Sequence, residues 1–145
     1  MLKIKKITVL ETFEVRHLVL RKGKPIENCH FEGDDLPSTQ HFGLEENNQI
    51  IGIISLFDKN STLFSEKSQT QIRGMAVLEN HQNKGYGRLL VEHCENILKK
   101  ENKSLIWFNA RENAVGFYTR MGYQTIGAPF EINDIGLHWV MYKKL

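Results

Sequence analysis

Two glycines set one residue apart, just after a strand pattern and at the start of a helical one, constrain this chain more than any other feature. The stretch runs Gln71-Ile72-Arg73-Gly74-Met75-Ala76-Val77-Leu78, then Gln82-Asn83-Lys84-Gly85-Tyr86-Gly87-Arg88. Glycines let a backbone approach a ligand closely, and the free N–H groups of a helix's first turn point outward, reinforced by the helix dipole. Such a turn is an anion site, and Lys84 and Arg88 add positive charge. Two phosphate motifs fail here. A Walker loop needs Gly-x-x-x-x-Gly-Lys-Ser/Thr, which the chain lacks. A dinucleotide fingerprint needs a third glycine where Leu90 stands, and an acid about twenty residues later, where the chain reads Leu105-Ile106-Trp107-Phe108.

The surrounding 145 residues have the size of one domain, expected to span 1–145. A hydrophobic content of 41% is globular, and a formal charge of +2 with scattered basic residues argues against a nucleic-acid partner. Lys99, Lys100 and Lys103 read as a solvated helix end. Cys29 and Cys94 are far apart and lack metal-type spacing, so free thiols in a reducing compartment are expected, and the cytoplasm with them. No run approaches the roughly eighteen apolar residues of a membrane span, so no membrane partner is expected. Met1 to Lys6 alternate like a strand and lack a signal peptide's apolar core.

Residues 2–7 alternate apolar and basic, as a half-buried strand does. Thr8-Val9-Leu10-Glu11 is a capping box for a helix expected to reach about Leu20, before Gly23 and Pro25. Residues 26–38 read as a loop with a short helical turn. His41–Leu44 and Gln49–Phe57 flank the polar turn Glu45-Glu46-Asn47-Asn48 and predict a hairpin. Gln69–Leu78 is a third strand. Residues 88–101 carry Leu90, Cys94, Ile97 and Leu98 at helical period, which places Cys94 in the core. Ser104–Asn109 is apolar enough for a strand buried on both faces. A helix over 113–121 ends at Gly122, and strands near 123–131 and 137–143 follow. The result is an α/β or α+β domain with a mixed central sheet and helices inserted between strands.

Gln-x-x-Gly-x-Gly at Gln82–Gly87 resembles the coenzyme-A pyrophosphate loop of the GNAT superfamily of N-acetyltransferases. A second segment, Asn113-Ala114-Val115-Gly116-Phe117-Tyr118-Thr119-Arg120-Met121-Gly122-Tyr123, is similar to that family's second signature. Both occur in order, each in the required element, so the resemblance covers roughly 71–123. It implies a mixed, mostly antiparallel central sheet flanked by helices, and acetyl transfer from acetyl-coenzyme A to an amine of a small molecule or a protein. It further implies that the backbone around Met75, Ala76 and Val77 pairs with the pantetheine arm. The loop over Gln82, Asn83, Lys84, Gly85, Tyr86, Gly87 and Arg88 would cradle the pyrophosphate, and Asn113 would touch the coenzyme arm. Tyr118 would protonate the leaving thiolate, a role that a phenol of ordinary pKa near 10 can fill. Without the resemblance, Phe117 and Tyr118 read as two core aromatics. The same motifs on a non-catalytic acyl-coenzyme-A-binding module are the alternative, because the strand before the loop lacks the glutamate that many members carry. The general base is left open, with a water relay as one route.

Residue types suited to an acceptor site cluster in Arg16-His17, Arg21, Cys29-His30-Phe31, Asp34-Asp35 and His41, and again in Phe130-Glu131-Ile132 and His138-Trp139. No metal is expected, since Cys29, His30, Asp34 and His41 match no zinc spacing. Asp34-Asp35 reads equally as a solvated turn or a substrate contact, and His138 as a core histidine or a substrate contact. Strict alternation puts Gln71, Arg73, Met75 and Val77 on one strand face, and Ile72, Gly74, Ala76 and Leu78 on the other. Arg73 would then sit one pleat from the thioester and hold an anionic acceptor, unless it pairs with Asp34, Asp35 or Glu131. Edge strands at the C-terminal end offer a surface for a homodimer.

Overall fold

The computed structural model describes residues 1–145 and opens with β1 (Leu2–Ile7), whose last residue already turns into the core. Thr8 caps α1 (Val9–Val15): its Oγ1 accepts from the Glu11 amide while the Glu11 carboxylate accepts from the Thr8 amide. The helix does not run on regularly to Leu20. Residues Arg16–Leu20 widen into a π-turn, and Ile26–Cys29 form a short 3-10 turn.

The hairpin of β2 (Gln40–Glu46) and β3 (Gln49–Asp58) is tighter than the sequence predicts. Only Asn47 and Asn48 form the turn, both at positive φ (51° and 64°), the two-residue connection whose twist matches the strands. Glu45 and Glu46 are therefore strand residues. After β4 (Gln69–Val77) come α2 (Tyr86–Lys100), β5 (Leu105–Arg111), α3 (Val115–Arg120), β6 (Gln124–Ile132) and β7 (Gly136–Lys144). The seven strands lie in the order β1-β2-β3-β4-β5-β7-β6, and every neighbouring pair is antiparallel except β4 with β5. That pair is parallel because α2 carries the chain back over the sheet between them. No helix is long and apolar enough to cross a membrane.

The two faces bury different helices. Leu90, Val91, Cys94 and Leu98 of α2, Tyr118 of α3 and Met121 just after it pack with Leu44, Ile54, Leu56 and Ile72 on one face. Cys94 is fully buried there, and burial raises its thiol pKa well above the usual range. Val15 of α1 packs with Ile7, Ile53 and Ala76 on the other face. Pro129 and an irregular register between Ile126 and Phe130 interrupt the β6 edge, removing donors from strand-to-strand pairing there.

Two features of β4 position everything that follows. It pairs with β5 only from Gln69 to Gln71, against Leu105 to Trp107, and beyond that the two parallel strands separate. It also carries a bulge: Ile53 faces Ala76 and Ser55 faces Arg73, so three steps on β4 match two on β3. Gly74 absorbs the extra residue at φ +65°, a conformation that side chains disfavour, and a Cβ there would approach Phe31 to 3.2 Å. The bulge inverts the expected alternation. Arg73 keeps to the α1 face, whereas Met75 and Val77 pack on the α2 face.

Candidate active site

The separation of β4 from β5 opens a cavity of about 330 Å³ that reaches both sheet faces. Gln71, Arg73, Asn109, Arg111 and His138 line it, with Phe108 and Tyr118, and with Arg21, Phe31, Ile132 and Ile135. Three guanidiniums and no carboxylate line it.

Tyr118 lines the cavity. The ring is held against Phe108 at 4.4 Å and Phe117 at 4.9 Å, and only 7% of the residue is exposed. Burial alone pushes its pKa up to about 12, so the phenol keeps its proton at neutral pH. Behind it Tyr123 donates to Glu95 at 2.8 Å, and Lys143 Nζ lies 3.1 Å from the same carboxylate, a buried brace between α2 and β7.

Phe31 gathers three arginines on the α1 side of the cavity. Arg16, Arg73 and Arg21 lie over its ring at 4.0, 4.7 and 5.1 Å. Arg16 is wholly buried and bonds Asp34 through two nitrogens, at 2.7 and 3.0 Å, and also the Cys29 carbonyl and the Ser55 hydroxyl. Burial opposes the Asp34 charge, but the bonds from Arg16 and the Phe31 amide prevail and hold its pKa below the usual carboxylate range. Asp34 is thus neither a solvated turn nor a substrate contact; it is the internal counter-ion of Arg16. Asp35 is exposed and bonded to His30 at 2.8 Å. Asp34 and Asp35 are so committed, Glu131 makes no salt bridge, and Arg73 forms no ion pair. Burial disfavours the Arg73 charge, Arg16 and Arg21 repel it, and Asp34 offsets this in part. Arg21 is similarly disfavoured by burial and by Arg111.

His138 is 5% exposed, and its Nδ1 lies 2.8 Å from the Gly136 carbonyl. A carbonyl only accepts, so Nδ1 carries the proton in the neutral ring and Nε2 is left with a lone pair. The cluster of Cys29, His30, Asp34 and His41 does not converge on a metal: no group of three His, Cys, Asp or Glu side chains does so.

The glycine loop leads into α2 through a left-handed turn. Gly85 precedes α2 at φ +82°, no side chain caps the helix, and a Cβ at Gly85 would meet nothing within 4 Å. The first-turn amides of α2 are therefore open to a ligand. At Gly87 a Cβ would contact Met75 and Phe117 at 3.5 to 3.6 Å, so the loop abuts the strand and helix that lead to the cavity. Gln82 spends its amide on the Val77 carbonyl at 2.8 Å, which ties the loop to the end of β4. The Tyr86 hydroxyl reaches Glu46 at 3.3 Å, and Arg88 pairs with Glu92 on the surface. Gln82 and Tyr86 thus tie the loop to β4 and β2, Arg88 is engaged within α2, and Asn83 (φ 64°) and Lys84 stay free at the loop's tip. Met75, Ala76 and Val77 lie beyond the last β5 partner, with that strand edge unpaired, and Asn113 is exposed in the 3-10 turn before α3. Gln71, Asn109 and Arg111 were not distinguishable as site residues in the sequence, because only the parting of β4 and β5 brings them to one cavity.

Residues 8–123 match the Acetyltransferase (GNAT) family, and the chain belongs to it. It is an acetyl-coenzyme-A-dependent N-acetyltransferase by that membership and by its relatives. An uncharacterised N-acetyltransferase of Bacillus subtilis (strain 168), YitI, is 37% identical over 145 residues, covering 100% of this chain and 97% of the relative. Among solved structures, an aminoglycoside 6'-N-acetyltransferase complexed with coenzyme A superimposes with TM-score 0.78 at 12% identity, covering 98% and 96% of the two chains. A GNAT family acetyltransferase from Elizabethkingia anophelis with acetyl-CoA bound gives 0.70 at 18% identity, covering 99% and 98%. At those identities the likeness is one of fold.

Proposed function

We propose that this chain acetylates the amine of a small molecule that carries an anionic group. The observation that carries the reading is the acceptor cavity, lined by Arg21, Arg73 and Arg111 and by no carboxylate. A guanidinium without a counter-ion favours a carboxylate or phosphate held through parallel hydrogen bonds. The bulge at Gly74 turns Met75 onto the α2 face and leaves Arg73 on the other, where Arg111 and His138 line the same cavity, a placement that favours contact with the acceptor over the coenzyme. The same three cations disfavour an ammonium beside them, and so deliver the amine in its neutral, nucleophilic form. This removes part of the need for a strong base.

Acetyl-coenzyme A, when bound, supplies an activated thioester. The α2 first-turn amides, with Asn83, Lys84 and Gly85, are suited to its pyrophosphate, the unpaired edge at Met75–Val77 to its arm, and Asn113 to the arm's far side. Tyr118 holds a proton for the departing sulfur. His138 offers Nε2 to the acceptor. A non-catalytic binding module would have no use for a buried phenol held protonated in the wall of an arginine-lined cavity.

The test is coenzyme-thiol release with amino acids compared with their decarboxylated and amidated analogues. The reading expects at least tenfold higher kcat/KM for the anionic members, with the advantage lost in Arg73→Gln. Equal turnover of both sets would refute it.

A further inference from the structure

Gln71 is buried to all but 6%, yet its Oε1 has no hydrogen-bond partner in the chain. Buried acceptors are almost always satisfied, and an unsatisfied one on a side chain that lines a cavity marks where a donor from a ligand belongs. Its place is specific. Gln71 pairs with Phe57 on β3 and with Trp107 on β5, the last rung before β4 and β5 separate. Arg73 follows two residues later on the same face, before the bulge, a rise of roughly 6.5 Å along the strand. Its guanidinium lies over Phe31 and over Phe57, the strand partner of Gln71. An unfilled acceptor and an unpaired guanidinium thus stand side by side.

Resting on the amine-transfer reading above, we infer that Gln71 Oε1 receives an N–H of the acceptor amine while Arg73 takes its anionic group. The acceptor is then a short amino acid, with amine and anion a few bonds apart. A carboxamide does not become charged, so Gln71 orients the nitrogen lone pair without removing its proton. Arg16 does not compete for the ligand, because Asp34 already neutralises it.

The two variants for the test are Gln71→Leu and Gln71→Met, which keep volume and remove the acceptor atom. Because Oε1 bonds nothing in the chain, neither loses an internal hydrogen bond at that atom, and both are expected to melt at or above the wild-type temperature. Thiol release with glycine, β-alanine and 6-aminohexanoate is then followed. In both variants the kcat/KM of the preferred acceptor falls tenfold or more, mostly through KM, and the KM for acetyl-coenzyme A stays within twofold. The wild type prefers glycine or β-alanine over 6-aminohexanoate. An acceptor kcat/KM within twofold of wild type in both variants overturns the inference, as does a preference for 6-aminohexanoate. A fall matched by lost thermal stability overturns it too, by making Gln71 structural. A wild type that turns over no amine overturns the amine-transfer reading itself, and the inference with it.

Discussion

Asp34→Asn isolates the buried support of the acceptor cavity. The carboxylate accepts from Arg16 at 2.7 and 3.0 Å and from the Phe31 amide at 2.7 Å, and both charged side chains are fully buried. Asparagine keeps the shape but leaves the Arg16 charge without a counter-ion. Removing one partner of a buried pair costs about 3–5 kcal/mol. For a domain of this size each kcal/mol moves the melting temperature by roughly 2–4 °C, so the variant should melt roughly 6–20 °C lower. Calorimetry with urea titration at pH 7 reads this. A loss below about 1 kcal/mol would refute the account of the pair. The pH dependence has a definite sign. Asp34 has a folded pKa below its unfolded value, so its stabilisation is present above about pH 4 and is lost as pH falls through the folded value. The gap between wild type and variant should therefore narrow in acid. Replacing both partners, Arg16→Met with Asp34→Leu, should recover much of the loss. Because Arg16 also lies on Phe31, Asp34→Asn should raise the acceptor KM more than that for acetyl-coenzyme A.

Tyr118→Phe should lower turnover by roughly ten- to a thousand-fold with little change in coenzyme affinity, and an unchanged chemical step would make Tyr118 a packing aromatic. Gly87→Glu should abolish acetyl-coenzyme A binding by calorimetry while unfolding stays cooperative, since its side chain starts against Met75 and Phe117 at the cradle; unchanged affinity would remove the loop from the coenzyme site. Cys29 and Cys94 are both buried with raised thiol pKa values, so the native protein should react slowly with a thiol reagent until denatured. Rapid labelling of two thiols in the native state would contradict that packing.

Much of this was legible because local signals and tertiary demands agree. The capping box at Thr8, the helical stripe ending in Leu98 and the apolar run at Leu105 each carry one periodicity, and each formed as expected. The turn at the glycine loop was readable because Gly85 and Gly87 mark a backbone turn directly into a helix. The acceptor face was harder. A one-residue bulge at Gly74 reverses every later side chain on β4, and alternation counted along the sequence cannot register it. Arg16 and Asp34 are eighteen residues apart and joined through the core, so sequence spacing could not tell their pairing from the alternatives with Arg73. Alternation put Gln71 on the face of Arg73, but the unsatisfied Oε1 that singles it out is visible only in the structure.

Transfer to nitrogen is tested most directly by following isotope-labelled acetyl from acetyl-coenzyme A by mass spectrometry, with an anionic amine as acceptor. The account predicts label in an amide on the acceptor nitrogen, in equal amount to released coenzyme thiol, and at least tenfold slower formation in Tyr118→Phe. Label found only as free acetate, at a rate that no amine changes, would contradict it.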